Sequence, residues 1–147
     1  MSEEFEVRGP HEDRMDEAAE REPGGMAGQL AVMTAILATV GANGRMHAVP
    51  VWFRYEGGAF GIITERGSVK HRNAVNAGRA AICVDDGKFA YVSAEGPVEV
   101  QDPVSYEERL ALHTLYRGAE AAKRIVDQGG HERMVILRLR PEHWLDR

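Results

Sequence analysis

Apolar and polar positions change rhythm several times along this chain, and each change marks an element. After Gly25 the segment "AVMTAILATVGANGRMHAVPVWFRYEGGAFGIIT" holds three apolar, β-branched or aromatic runs separated by "ANGR" and "YEGGA". Short runs of that make-up between turn residues read as strands. Asn43-Gly44 is a strong hairpin signal, because both residues tolerate positive φ. The pattern therefore predicts an antiparallel meander with strands near 31–41, 46–55 and 59–64. Pro50 falls inside the second of these, where it cannot donate to a ladder. That strand is then an edge, or bulged, or turns its backbone toward a ligand.

The rhythm becomes helical over "SVKHRNAVNAG", with Ser68 placed to cap the helix and Gly78 to end it. "RAAICVDD" and "FAYVSAEGPVEV" flank the turn signal "DDGK" and read as a second hairpin. Asp102-Pro103 opens a helical region in which Tyr106, Leu110, His113 and Leu115 fall on broadly helical spacing, and "GAEAAKRIVDQGG" adds a second short helix. "RMVILRLRP" alternates apolar residues with Arg138 and Arg140, as a half-buried closing strand does. The expectation is a mainly β domain of about six strands, with a short helix after strand 3 and one or two helices before the last strand. Many short antiparallel strands joined by tight turns suggest a barrel or a sandwich. The domain spans 26–147. Residues 1–25 are charged, poor in large apolar side chains and end in "EPGG", which predicts a flexible or helical tail.

Composition changes this picture in three places. The 147 residues fit one domain. The net charge of −5 belongs to the tail, since residues 1–24 hold nine of the 23 acids and only three of the 18 Lys and Arg. The body is close to neutral and offers no general case for nucleic acid; any preferred anion is small. The single cysteine, Cys83, lies in an apolar run, which excludes an internal disulfide, fits a reducing cytoplasm and suggests core packing. "LAVMTAILATVGA" is about half of a roughly 20-residue membrane span, so no membrane association is expected.

The arrangements that most often carry catalysis are missing. The histidines at 11, 47, 71, 113, 131 and 143 never stand at metal-ligand spacing from one another, so no metal is expected. No serine sits in a nucleophile elbow, and no glycine-rich nucleotide loop is present. An enzyme of this kind needs a cofactor to carry the reaction. "ITERGSVKHRN" supplies a place for one. If Thr64 ends a strand and Ser68 caps a helix, the helix N-terminus offers free N–H groups and partial positive charge. Arg66 and Lys70 would extend over the same end. A capped surface helix with ordinary solvated cations is the plainer alternative.

From about Ala38 onward the chain resembles the pyridoxamine 5′-phosphate oxidase-like split β-barrel superfamily, and within it the flavin/deazaflavin-dependent oxidoreductases. "LATVGANGRMHAVPVWFRYEGGAF", "ITERGSVKHRNAVNAGRAAICVDD" and "YVSAEGPVEV" carry the resemblance, in the family's order and spacing. It implies a six-stranded antiparallel split β-barrel of the FMN-binding type, a homodimer with cofactor sites at the subunit interface, and hydride transfer to a small unsaturated molecule. The cofactor implied is deazaflavin coenzyme F420, with FMN as the alternative. A split barrel that binds flavin or haem without turnover is a further alternative. By resemblance the cofactor phosphate falls to Thr64, Ser68 and Lys70, with Arg66 beside them. The ring would run along Ala48, Val49, Pro50, Val51 and Trp52, and Arg79, Tyr91 and Ser93 would contribute from the partner. Many relatives carry a basic residue before the aromatic at Tyr91, where this chain has Ala90. The first forty residues also resemble an unrelated family of small bacterial proteins of unknown function, in which the apolar run continues into a membrane helix; here Asn43-Gly44 turns it into the barrel.

Overall fold

The computed structural model describes residues 35–85 and 91–146, the side chain of Asp146 excepted. In chain order the elements are β1 (Ala35–Val40), β2 (Met46–Val51), β3 (Arg54–Glu56), β4 (Ala59–Glu65), α1 (Val69–Ala77), β5 (Arg79–Asp85), β6 (Tyr91–Gln101), α2 (Tyr106–Arg117), α3 (Ala119–Val126), a 3₁₀ turn (His131–Arg133), β7 (Met134–Leu139) and β8 (His143–Asp146). The tail, the start of the expected first strand and part of the "DDGK" turn lie outside the described residues.

Every strand pairing is antiparallel, in the order β2-β1-β5-β6-β7-β4-β3, with β8 added on β6. The two end strands are consecutive in the chain: β2 reaches β3 through Trp52 and Phe53, so the sheet's ends meet and the sheet curls into a split barrel. Alternation fills it. Ala35 and Leu37 of β1, Phe60 and Ile62 of β4, Ile82 and Val84 of β5, Val92 and Ala94 of β6, and Leu137 and Leu139 of β7 form one buried cluster. Burying a side chain of this size is worth roughly 1.5–3 kcal/mol, so this inward set holds the barrel closed.

Among the described residues eight strands form where about six were expected. The long second strand breaks at Trp52-Phe53, because β2 pairs with β1 while β3 pairs with β4. The helix expected after strand 3 therefore follows β4. At the C-terminus the chain resumes as β8 beyond Pro141, and Trp144 packs on Phe60 and Tyr55 at the barrel's edge. The split is built into β6, whose first part pairs with β5 and β8 and whose last four residues pair with β7. The chain crosses so tightly there that a side chain on Gly96 would start 2.0 Å from the Arg140 carbonyl oxygen.

The turns follow their chemistry. Gly57-Gly58 joins β3 and β4 with both residues at positive φ (61° and 75°), the two-residue turn whose twist suits a hairpin. Asn43-Gly44 does turn the chain, within a wider five-residue loop closed by the Gly41 N–H on the Arg45 carbonyl at 2.7 Å. Pro50 sits on β2, an end strand of the sheet, where a missing donor is tolerated. Cys83 is not in the core: it is half-buried on the outer face, between Ile36 and Ser93.

Candidate functional site

The β4–α1 corner follows from local sequence. Thr64 is the last inward residue of β4 and is 6% exposed. Gly67 turns the chain, and Ser68 caps α1 in extended conformation (φ −61°, ψ 162°). The Thr64 and Ser68 hydroxyls stand 2.9 Å apart. Ser68 Oγ accepts the His71 N–H at 3.3 Å, and His71 Nδ1 accepts the Gly67 N–H at 2.9 Å. The N–H groups of Val69 and Lys70 lie in the first turn and have no intrahelical acceptor. Two hydroxyls and this helix end thus face the same corner.

The two cations of the motif behave differently. Lys70 is half-buried, and no hydrogen bond or ion pair to a described residue holds its ammonium. Arg66 is committed: its Nε reaches both Asp102 carboxylate oxygens at 2.8 and 3.0 Å, and Nη2 donates to the Glu132 carbonyl at 2.6 Å. That hydrogen-bonded pair raises the Arg66 pKa and lowers that of Asp102. To meet an anion at Ser68, Arg66 must leave Asp102, whereas Lys70 need leave none of the described residues.

Of the strand expected along a ring, Ala48 and Pro50 are exposed and Val49 and Val51 half-buried, all on β2, whose second edge has no strand partner among the described residues. Trp52 follows, 39% exposed, and is not a core residue. Tyr116 of α2 stacks on it at 4.4 Å and 7°, His113 meets it edge-on at 5.8 Å, and the Arg117 guanidinium lies 4.9 Å from the ring centre. The Tyr116 hydroxyl accepts the Phe53 N–H at 3.0 Å, which pins α2 to the β2–β3 junction. Burial pushes the Tyr116 pKa up to about 12, with the Phe53 backbone opposing it. Burial, then the neighbouring Arg109 and Arg117, lowers that of His113, whose Nδ1 accepts from Arg117 Nε at 3.3 Å. Sequence reasoning missed Tyr116 altogether; its only trace is the His113–Tyr116–Arg117 spacing of one helical face.

Arg79 and Tyr91 stand apart from this corner within one chain. Arg79 follows the far end of α1, roughly 15 Å from Ser68 at 1.5 Å per residue, and is held by Glu95 (2.6 and 2.9 Å) and Glu142 (2.7 Å). Tyr91 lies at the opposite end of the β5–β6 ladder, paired with Asp85. Ser93 sits between Cys83 and Leu145 on the outer face. A depression under α2, edged by Arg54, Gly61, Ile63, Leu112 and Arg138, opens on the opposite side of β4 from Thr64, and its Arg138 is paired with Glu108 at 2.8 Å. Among the described residues no cluster of His, Cys, Asp or Glu could hold a metal ion, and no helix is long and apolar enough to cross a membrane.

This architecture recurs in solved structures. The conserved hypothetical protein Rv2991 from Mycobacterium tuberculosis matches with a TM-score of 0.72 and 22% identity, over 95% of this chain and 84% of that one. A protein described as F420 reductase matches with 0.66 and 20%, over 95% and 98%. A pyridoxamine 5′-phosphate oxidase-related, FMN-binding protein from Nostoc punctiforme matches with 0.61 and 16%, over 96% and 97%. No curated protein matches the chain. The model of the pyridoxamine 5′-phosphate oxidase family matches residues 30–147, a span that contains the whole barrel and the β4–α1 corner, and the chain belongs to that family.

Proposed function

We propose that this protein is an oxidoreductase that binds coenzyme F420 at a dimer interface and transfers hydride to a small unsaturated organic substrate, with FMN as the alternative cofactor. The observation that carries the reading is the corner itself: two hydroxyls 2.9 Å apart at a helix N-terminus, beside a lysine that pairs with none of the described residues. Such a corner suits a phosphate, which takes hydrogen bonds from hydroxyls and backbone N–H groups and a point charge from lysine. Thr64, Ser68 and Lys70 would hold the phosphate, and β2 with Trp52 would border the ring. When bound, the reduced cofactor supplies the hydride. The chain's own residues bind, orient and exclude water; the stack of Tyr116 on Trp52 fixes that wall.

The dimer is supported by the outer face of the sheet. Register sets Pro50, Ile36, Cys83, Ser93 and Leu145 side by side across five strands. Ile36, Val40, Met46 and Leu145 are 36%, 39%, 84% and 60% exposed. An apolar patch of this kind marks an interaction surface, and a second copy covering it brings Tyr91 and Ser93 to the interface. Leu145→Glu, at the β8 end of the patch, is expected to turn a dimer into monomers by sedimentation; a wild-type monomer would remove the interface from the proposal.

Fluorescence titration with F420 and with FMN, on wild type and on Lys70→Ala, tests the site. Saturable binding of one cofactor is expected, weakened about tenfold or more in the variant, the loss of one charge-assisted contact. Equal affinity in Lys70→Ala, or no binding of either cofactor, would overturn the assignment.

A further inference from the structure

The inner face of the sheet loses its cover at β2. Register sets Ala35, Leu37 and Thr39 of β1 opposite Val51, Val49 and His47, and partners across an antiparallel ladder share a face. The three β1 residues are 0%, 1% and 4% exposed, whereas their β2 partners are all half-buried. Beyond β2 the described residues supply no further strand, so this inward row borders an opening.

His47 is the polar member of the row. Its Nδ1 is enclosed and has no hydrogen-bond partner among the described residues, while the ring as a whole is only half-buried and its Nε2 is not enclosed. Across the ladder, the Thr39 hydroxyl accepts from Asn73 Nδ2 of α1 at 3.1 Å, so α1 lies over this end of the row. Asn73 and Ala74, the buried residues of α1, stand three and four residues after Lys70 and share its helix face. Lys70 and His47 therefore border the same space, between α1 and β2.

A neutral imidazole carries one proton and can place it on either nitrogen. On Nδ1 it would make an enclosed N–H without an acceptor, which bears the full desolvation penalty. On Nε2 it makes a donor that reaches the opening.

We propose that His47 is a further cofactor-contacting residue: a neutral imidazole with its proton on Nε2, donating one hydrogen bond to an acceptor oxygen of the cofactor lying between β2 and Lys70. The inference rests on the reading of the β4–α1 corner as a cofactor seat, and it adds a contact from the facing strand that point charge and helix end do not provide.

Two measurements test it. Nitrogen-15 spectra of the imidazoles, taken without cofactor at about pH 8.5, above the ordinary histidine range, identify the His47 signals as those missing from His47→Gln. They should show Nε2 protonated and Nδ1 bare; the opposite tautomer would refute the donor. Fluorescence titration with F420 and FMN then compares variants. His47→Leu should weaken binding of whichever cofactor the wild type takes by about tenfold, the size of one lost hydrogen bond. His47→Gln carries an amide N–H to where Nε2 stood and should keep near wild-type affinity. His47→Asn stops short, at the Nδ1 position, and should lose as much as His47→Leu. A residue that only filled space would not separate His47→Gln from His47→Asn. Unchanged affinity in His47→Leu, or equal affinities in His47→Gln and His47→Asn, overturns the contact and leaves the corner standing. Should His47→Leu not fold, the other two variants decide. If the wild type binds neither cofactor, the reading of the corner fails and the His47 contact falls with it.

Discussion

The β4–α1 corner and the β2–β3 junction flank the same proposed site, yet they are built in opposite ways. At the corner the contacts that set the two hydroxyls and the helix end are local: Thr64 to Ser68, Gly67 to His71 and His71 to Ser68 all close within four residues. At the junction the decisive contact spans 63 residues, from Phe53 to Tyr116, and Trp52 is held in place by α2. The corner is a ligand seat that costs the fold little to alter. The junction is a tertiary joint whose loss is felt first as stability.

The largest effect should therefore come from the junction. Tyr116→Ala removes a half-buried ring stacked on Trp52 and leaves the Phe53 N–H without its partner. A loss of about 3 kcal/mol is expected in chemical denaturation, with a change in Trp52 fluorescence in the folded state. Near-neutral stability would show that α2 does not secure the junction. Next in size is an alkaline effect of the same residue. A tyrosine whose folded pKa is raised from 10.0 to about 12 contributes stability that is complete below the ordinary value and lost as pH rises through the folded one. Stability should fall between about pH 10 and 12, by roughly 2 kcal/mol from this group. Tyr116→Phe keeps the stack and should lack that part of the alkaline fall; identical alkaline limbs would sink the assignment.

Ser68→Ala comes third. Losing an N-cap costs about 1 kcal/mol, and the buried Thr64 hydroxyl loses its neighbour. Cofactor affinity should drop along with the modest change in stability. If affinity holds, the corner is a capped helix and nothing more.

The same contrast explains how much was legible in the sequence. Strand positions, the Gly57-Gly58 turn and the Ser68 cap are written in neighbouring residues, so period and turn chemistry reveal them. The break at Trp52-Phe53 is not, because it arises from β2 and β3 pairing with different strands. Continuous hydrophobicity gives no sign of a change of partner. Cys83 misled for a related reason: "AAICVDD" is apolar on both faces, and only register shows that Cys83 looks outward beside Ile36. Arg109 was invisible, since an arginine on an amphipathic helix reads as solvated until the Gly129–Gly130 turn is seen to cover it. Lys70 and Arg66 looked equivalent two residues apart. Their difference lies in Asp102, which is distant in sequence.

That difference gives the smallest and most discriminating expectation. Asp102→Asn removes an exposed ion pair, and exposed pairs contribute little, so the melting temperature should barely move. Acid should tell the same story. The Asp102 carboxyl is held below its ordinary range by Arg66, so whatever the pair contributes is present above that range and fades as pH falls through the lowered value. What should change is the ligand. With Asp102 neutral, Arg66 is released beside Ser68 as a second cation, and affinity for a phosphate-bearing cofactor should rise severalfold, measured by the same fluorescence titration. The double variant Asp102→Asn with Arg66→Ala should return affinity to the wild-type level. A rise that survives removal of Arg66 would mean that Asp102 repels the ligand directly; no rise at all would mean that Lys70 alone provides the charge at this corner.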